Sequence, residues 1–196
     1  NTRQFELALE LVRFWLEVEP DSAQARQMES SLLIATNRID DLAPQFARLL
    51  EQDKANAGGN LMHLNRMLAR HADKKAVQRL VDRVAAPYDN LPEAHFAMGQ
   101  AAAAADDPMR AISEFQEALI YRPDWEVAAL ARAQVQARQS TASAIDGLDK
   151  FVARNPDARD ARLALARLLI VERRYDEARV QFDRLLKNSP DNPDIV

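Results

Sequence analysis

The sequence predicts an all-α chain: a right-handed superhelical solenoid of antiparallel helix pairs, with about 11 helices. Three observations predict it. Pro-Asp recurs at 20–21, 123–124, 156–157 and 190–191, in steps of 103 (close to three times 34), 33 and 34. A period near 34 belongs to arrays of helix–turn–helix units. Two segments, 92–125 "PEAHFAMGQAAAAADDPMRAISEFQEALIYRPDW" and 159–192 "RDARLALARLLIVERRYDEARVQFDRLLKNSPDN", superpose without a gap. They place Met98 on Leu165, Gly99 on Ala166, Ala102 on Leu169, Ala111 on Ala178, Phe115 on Phe182 and Pro123 on Pro190. Each shows two apolar bursts at helical spacing around a polar break. The composition also suits helix, with 4 Gly in 196 residues and Ala, Leu, Arg and Glu recurring throughout.

The elements follow in order, as one solenoid over 1–196. Residues 1–20 read as a second helix alone, with Phe5, Ala8, Val12 and Leu16 on one face and Pro20 as its stop. Residues 23–56 form a unit around Leu33, Leu42, Phe46 and Leu49. Asp40 or Asp41 caps its second helix, and Pro44 falls in that helix's first turn. Residues 57–91 form a looser unit, opened by Gly58-Gly59. In 92–125, Pro92 and Pro108 suit first helical positions, with Asn90 and Asp107 as nearby caps. Gly99, Ala102 and Ala111 are small where paired helices approach, and the stretch "AAAAADD" at 101–107 reads as tight packing behind a flat wall. Residues 126–158 have one residue fewer, lost at the turn near Ser140. Residues 159–192 repeat the pattern of 92–125. Residues 193–196 open another unit, with Pro193 first and Ile195 and Val196 as its first apolar residues. The apolar side of the last hairpin, around Leu169, Phe182 and Leu186, is then expected to be partly uncovered and to pair with a second copy.

The formal charge is −4, from 26 basic and 30 acidic residues, which argues against a nucleic-acid partner. With no cysteine, disulfides and thiolate metal sites are excluded, and reducing and oxidising compartments are equally compatible. No apolar run approaches the roughly 20 residues of a membrane span, so no direct membrane contact is expected. The start, "NTRQFELALE", carries neither an initiator Met nor a signal peptide, and reads as an excised or mature portion.

No HExxH, P-loop, GxSxG or cysteine nucleophile is present, so no enzyme, catalytic residue or cofactor is expected. His63 and His71 are eight apart without a carboxylate at ligand spacing, so no metal is expected there or at His95. The segment 66–83 carries Arg66, Arg70, Lys74, Lys75, Arg79 and Arg83 against Asp73 and Asp82, and reads as a solvated face or a patch for an acidic partner. Trp15 and Trp125 sit at unit junctions, as packing residues.

Leu165-Ala166, Leu169, Tyr175, Ala178, Phe182 and Pro190 together resemble the tetratricopeptide repeat. The resemblance covers essentially the whole chain, most strongly 92–125 and 159–192. His95 and Arg162 stand where the family has a leading aromatic, and Asp106 or Arg173 where it has an interhelix glycine. The resemblance implies a non-catalytic scaffold that holds a protein or peptide on its inner face. Its contact positions carry over to Glu93, Phe96 and Gln100, then to Asp160, Leu163, Arg167 and Ile170 with Val171, then to Leu130, Gln134 and Arg138, and to Leu61 and Asn65. That set lacks the Lys/Asn/Arg constellation with which chaperone-adaptor repeats hold a C-terminal carboxylate. The alternative is a structural module that self-associates within a longer solenoid. The order of units also resembles Gram-negative periplasmic tetratricopeptide lipoproteins, including the binding partner of a carboxy-terminal processing protease. That implies a full-length protein lipid-anchored at the outer membrane, presenting a protease or its substrates.

Overall fold

A computed structural model describes residues 2–188, with side chains over 4–186. Among the described residues there are eleven α-helices and no strand, the architecture the sequence predicts. Contacts gather them into two units, Asn1–Asp89 and Asn90–Val196. The further repeat expected at 193–196 lies outside the described residues.

The first unit holds α1 (Thr2–Val18), α2 (Ala23–Ala35), α3 (Ala43–Gln52), α4 (Ala57–Leu68) and α5 (Lys74–Ala85), joined partly by short 3₁₀ turns. Ser22 caps α2 and Asp73 caps α5, each accepting from a backbone N–H three residues on. Several expected details change here. On α1 the buried residues are Leu9 and Val12, while Phe5 is exposed. Leu50 of α3, not Leu49, enters the core, and a 3₁₀ turn over Ile39–Leu42 puts the start of that helix at Ala43. Neither aspartate caps α3; Asp40 accepts from Arg79 at 2.9 Å, and Asp41 takes Arg38 and Arg13 instead.

The second unit is three hairpins: α6 (Pro92–Ala104) with α7 (Pro108–Tyr121), α8 (Glu126–Ala137) with α9 (Thr141–Arg154), and α10 (Arg159–Val171) with α11 (Tyr175–Asn188). Asp107 caps α7 as expected, and Ser140 caps α9. Asn90 does not cap α6, whose cap position is Leu91 without a side-chain bond. The α6–α7 hairpin closes on Gly99. A Cβ there would stand 2.7 Å from Cδ1 and Cε1 of Phe115, whose ring is tilted against Phe96 at 5.4 Å.

The turns explain the uneven period. Asp106 and Arg173 adopt φ of 61° and 59°, in the left-handed region, as does Asn37 after α2. Each closes a helix end with two reversed bonds, such as Asp107 N–H to the Ala102 carbonyl at 2.9 Å and Arg174 N–H to the Leu169 carbonyl at 2.8 Å. The α8–α9 turn has no left-handed residue, and Ser140 N–H bonds instead to Gln136 at 2.7 Å. Helix starts are 16 residues apart in the first and third hairpins (92 to 108, 159 to 175) and 15 in the second (126 to 141). The missing residue of 126–158 therefore falls between the two helix starts of that hairpin, in the stretch that ends at Ser140.

Candidate functional site

Within the second unit the first helices form one row. α8 lies directly beside both α6 and α10, whereas the second helices meet no comparable neighbour in their own row. The first-helix row is therefore the inside of the curve. A backbone-to-side-chain bond ties it together: Glu126 of α8 accepts the Ala161 N–H of α10 at 2.7 Å. This carboxylate supplies the N-terminal cap that α10 lacks from its own Ala158, and it sets the stagger between the two helices.

Not every predicted contact residue faces outward. Phe96 is only 2 % exposed and lies 4.7 Å from the Trp125 ring, centre to centre. Glu93 is paired with Arg122, whose guanidinium sits 4.4 Å over that same ring. At the α6 end these two positions are thus consumed by hairpin packing. Leu61 and Asn65 of α4 are likewise buried, so none of Phe96, Leu61 and Asn65 offers a partner its side chain. The register that assigns contact positions counts from the helix start, and it cannot see which neighbour folds over the face.

The others are brought together. Gln100 on α6, Gln134 and Arg138 at the end of α8, and Asp160 and Arg167 on α10 are exposed, with Leu130 and Leu163 half-buried between them. Val127 is 55 % exposed, Ile170 44 % and Val171 69 %. On α8 the spacing 127, 130, 134, 138 keeps one face, and on α10 the spacing 160, 163, 167, 170 does the same. Val127 was missed by sequence reasoning. Its signal was present, three residues before Leu130 on the same helical face.

The opposite side of the unit has a different character. A cleft of about 590 Å³ between α7, α8 and α9 is lined by Gln116, Arg132, Gln136, Ser143, Asp146 and Lys150. Burial pushes the Arg132 guanidinium down from its ordinary range, offset in part by Asp146. Arg132 donates to Gln116 and, at 3.3 Å, to the Gly147 carbonyl. Deeper in the last hairpin, Arg162 is buried and donates to Gln181 at 2.9 Å and to the Pro156 carbonyl at 3.0 Å. Burial lowers its pKa as well. Leu169 is fully buried, so the uncovered end expected around it is confined to the partly exposed Phe182 and Leu186.

Among the described residues no group of three or more His, Cys, Asp or Glu is placed to hold a metal ion. No described helix is long and apolar enough to cross a membrane. His71 is used internally, accepting from the Asp73 N–H at 3.2 Å through Nδ1.

The family model for the tetratricopeptide repeat matches residues 128–193, the last hairpin and most of the one before it. The fold is that of the tetratricopeptide repeat. Solved tetratricopeptide structures superpose on almost the whole chain. The C-terminal part of a repeat-containing protein from Cytophaga hutchinsonii covers 98 % of this chain and 80 % of its own, with 15 % identity and a TM-score of 0.57. The protein TTC0263 from Thermus thermophilus covers 97 % and 94 %, with 18 % identity and a TM-score of 0.56. YrrB, described as a tetratricopeptide protein with an unusual peptide-binding site, covers 94 % and 95 %, with 14 % identity and a TM-score of 0.54. No curated protein matches the sequence.

Proposed function

We propose that this chain is a non-catalytic interaction scaffold that holds a protein segment on the first-helix face of its second unit. The observation that carries the reading is the run of exposed aliphatics, Val127, Ile170 and Val171, set among Gln134, Arg138 and Arg167. Exposed aliphatics gain by being covered, and side-chain amides and guanidinium groups can pair with peptide carbonyls and carboxylates. The ligand is thus an apolar segment with acidic or amide side chains. YrrB, which shares the fold, is described by its peptide-binding site. A photo-cross-linking residue at Val171 or Gln134 captures the partner in cells of origin, whereas one at Val180 on the second-helix row does not. Capture from Val180 alone overturns the reading.

For the whole protein, the resemblance to periplasmic lipoproteins motivates a second proposal, that a lipid-anchored form presents a protease or its substrates at the outer membrane. Metabolic labelling of the full-length protein with a palmitate analogue tests it, and an unlabelled protein contradicts it.

A further inference from the structure

The first helix of the first unit carries two apolar faces, and only one is used. Leu9 and Val12 are buried against the unit. On the other side Leu7, Leu11, Phe14 and Val18 form an unbroken stripe, each between 58 and 65 % exposed. Their steps of four, three and four residues are those by which one helix receives another. The 103-residue shift between Pro20 and Pro123 places Leu11 on Glu114 and Val18 on Tyr121. In their own hairpin these two residues face the paired helix: Glu114 meets His95 of α6 at 2.8 Å, and Tyr121 stacks on the same ring at 5.5 Å. Leu11 and Val18, two of the four stripe residues, thus correspond to positions by which a second helix meets its paired helix.

The charges beside it say what kind of helix fits. At about 100° per residue, Glu6, Glu10 and Glu17 run along one flank of the stripe. All three are exposed, and among the described residues none is in an ion pair. Among the described side chains Arg13 is the one basic residue on that side, and it turns away to Glu29 at 3.2 Å and Asp41 at 3.7 Å. A second copy of the chain laid antiparallel on the stripe would bring these acidic rows together, which is unfavourable. We propose that the α1 stripe is a docking surface for an amphipathic helix of a partner protein, with apolar residues at positions i, i+4, i+7 and i+11 and Lys or Arg along the edge that meets Glu6, Glu10 and Glu17. This surface lies on α1, within the first unit.

The probe is a fluorescein-labelled 18-residue helical peptide with leucines at that spacing and lysines on one flank, and a matched peptide with glutamates in their place. Fluorescence anisotropy with the 196-residue chain reads both, with circular dichroism as a check that variants fold. The lysine peptide binds at least tenfold more tightly than the glutamate peptide, and its affinity falls with added salt. The pair L11Q and F14Q, exposed positions refilled with a good helix former, weakens binding at least tenfold. The pair E10K and E17K reverses the preference between the peptides. Equal binding of the two peptides, or binding untouched by L11Q with F14Q, overturns the proposal. So does a dimer in sedimentation that disappears in the same double variant, since the occupant is then a second copy.

Discussion

The same substitution at two helical glycines should change stability in opposite directions. Gly99→Ala in α6 and Gly59→Ala in α4 each gain about 1 kcal/mol of helix propensity. At Gly59 nothing lies within 4 Å of the new Cβ, so the gain stands unopposed, at about 0.5–1 kcal/mol. At Gly99 the new Cβ would meet two ring carbons of Phe115 at 2.7 Å, whereas ordinary carbon contacts begin near 3.5 Å. The ring must retreat by most of an ångström, but Phe115 is fully buried and backed by Phe96. Overpacking of this kind costs about 1–3 kcal/mol. The net expectation is a loss of up to about 2 kcal/mol, or several degrees in Tm at the upper end for a chain of this length. Urea denaturation followed by circular dichroism reads both variants. Phe115→Leu introduced with Gly99→Ala should give back part of the loss, as a coupling between neighbours. If Gly99→Ala stabilises as Gly59→Ala does, the account of how α6 and α7 close is wrong.

Arg173→Gly, at φ 59° in an exposed turn, relieves left-handed strain and raises stability by about 0.5–1 kcal/mol in thermal melts; an unchanged melt contradicts the turn geometry. Arg162→Met leaves buried Gln181 and the Pro156 carbonyl without their donor and costs about 1–3 kcal/mol. Adding Gln181→Leu should recover part of it in the same denaturation assay. The Ala76 N–H holds Asp73 below its ordinary 3.8, and hydrogen bonding from Arg174 holds Glu177 below 4.5. A depressed folded-state pKa means stability that is present above the ordinary value and lost as pH falls from there through the lower folded-state value. Stability should therefore decline below about pH 4.5, and Asp73→Asn with Glu177→Gln should flatten that decline in acid titrations.

Much of the fold was legible because its signals are local. Proline stops, Asp107, and the small residues at Gly99 and Ala111 each dictate structure through the few residues around them. The misreadings are where a distant element decides. Whether Asp40 caps α3 depends on Arg79, thirty-nine residues away in sequence, which takes its carboxylate instead. Whether Phe96 faces a partner depends on Trp125 folding over it from the next hairpin. For the candidate face, α8 and α10 were readable by register, because their Gln134, Arg138, Arg167 and Ile170 stay uncovered. The unpaired stripe on α1 was hidden, because sequence alone shows apolar residues around most of that helix and does not say which half is used.

The first-helix face of the second unit is where we propose that a protein partner binds. The most direct measurement compares Ile170→Asp on that face with Val180→Asp on α11, both exposed aliphatics, against the partner captured by cross-linking. Burying an aliphatic side chain is worth about 1.5–3 kcal/mol, and tenfold in Kd is about 1.4 kcal/mol. Ile170→Asp is predicted to weaken binding at least tenfold, with Val180→Asp within about twofold of the unsubstituted chain. Equal losses, or a loss from Val180→Asp alone, would contradict the claim.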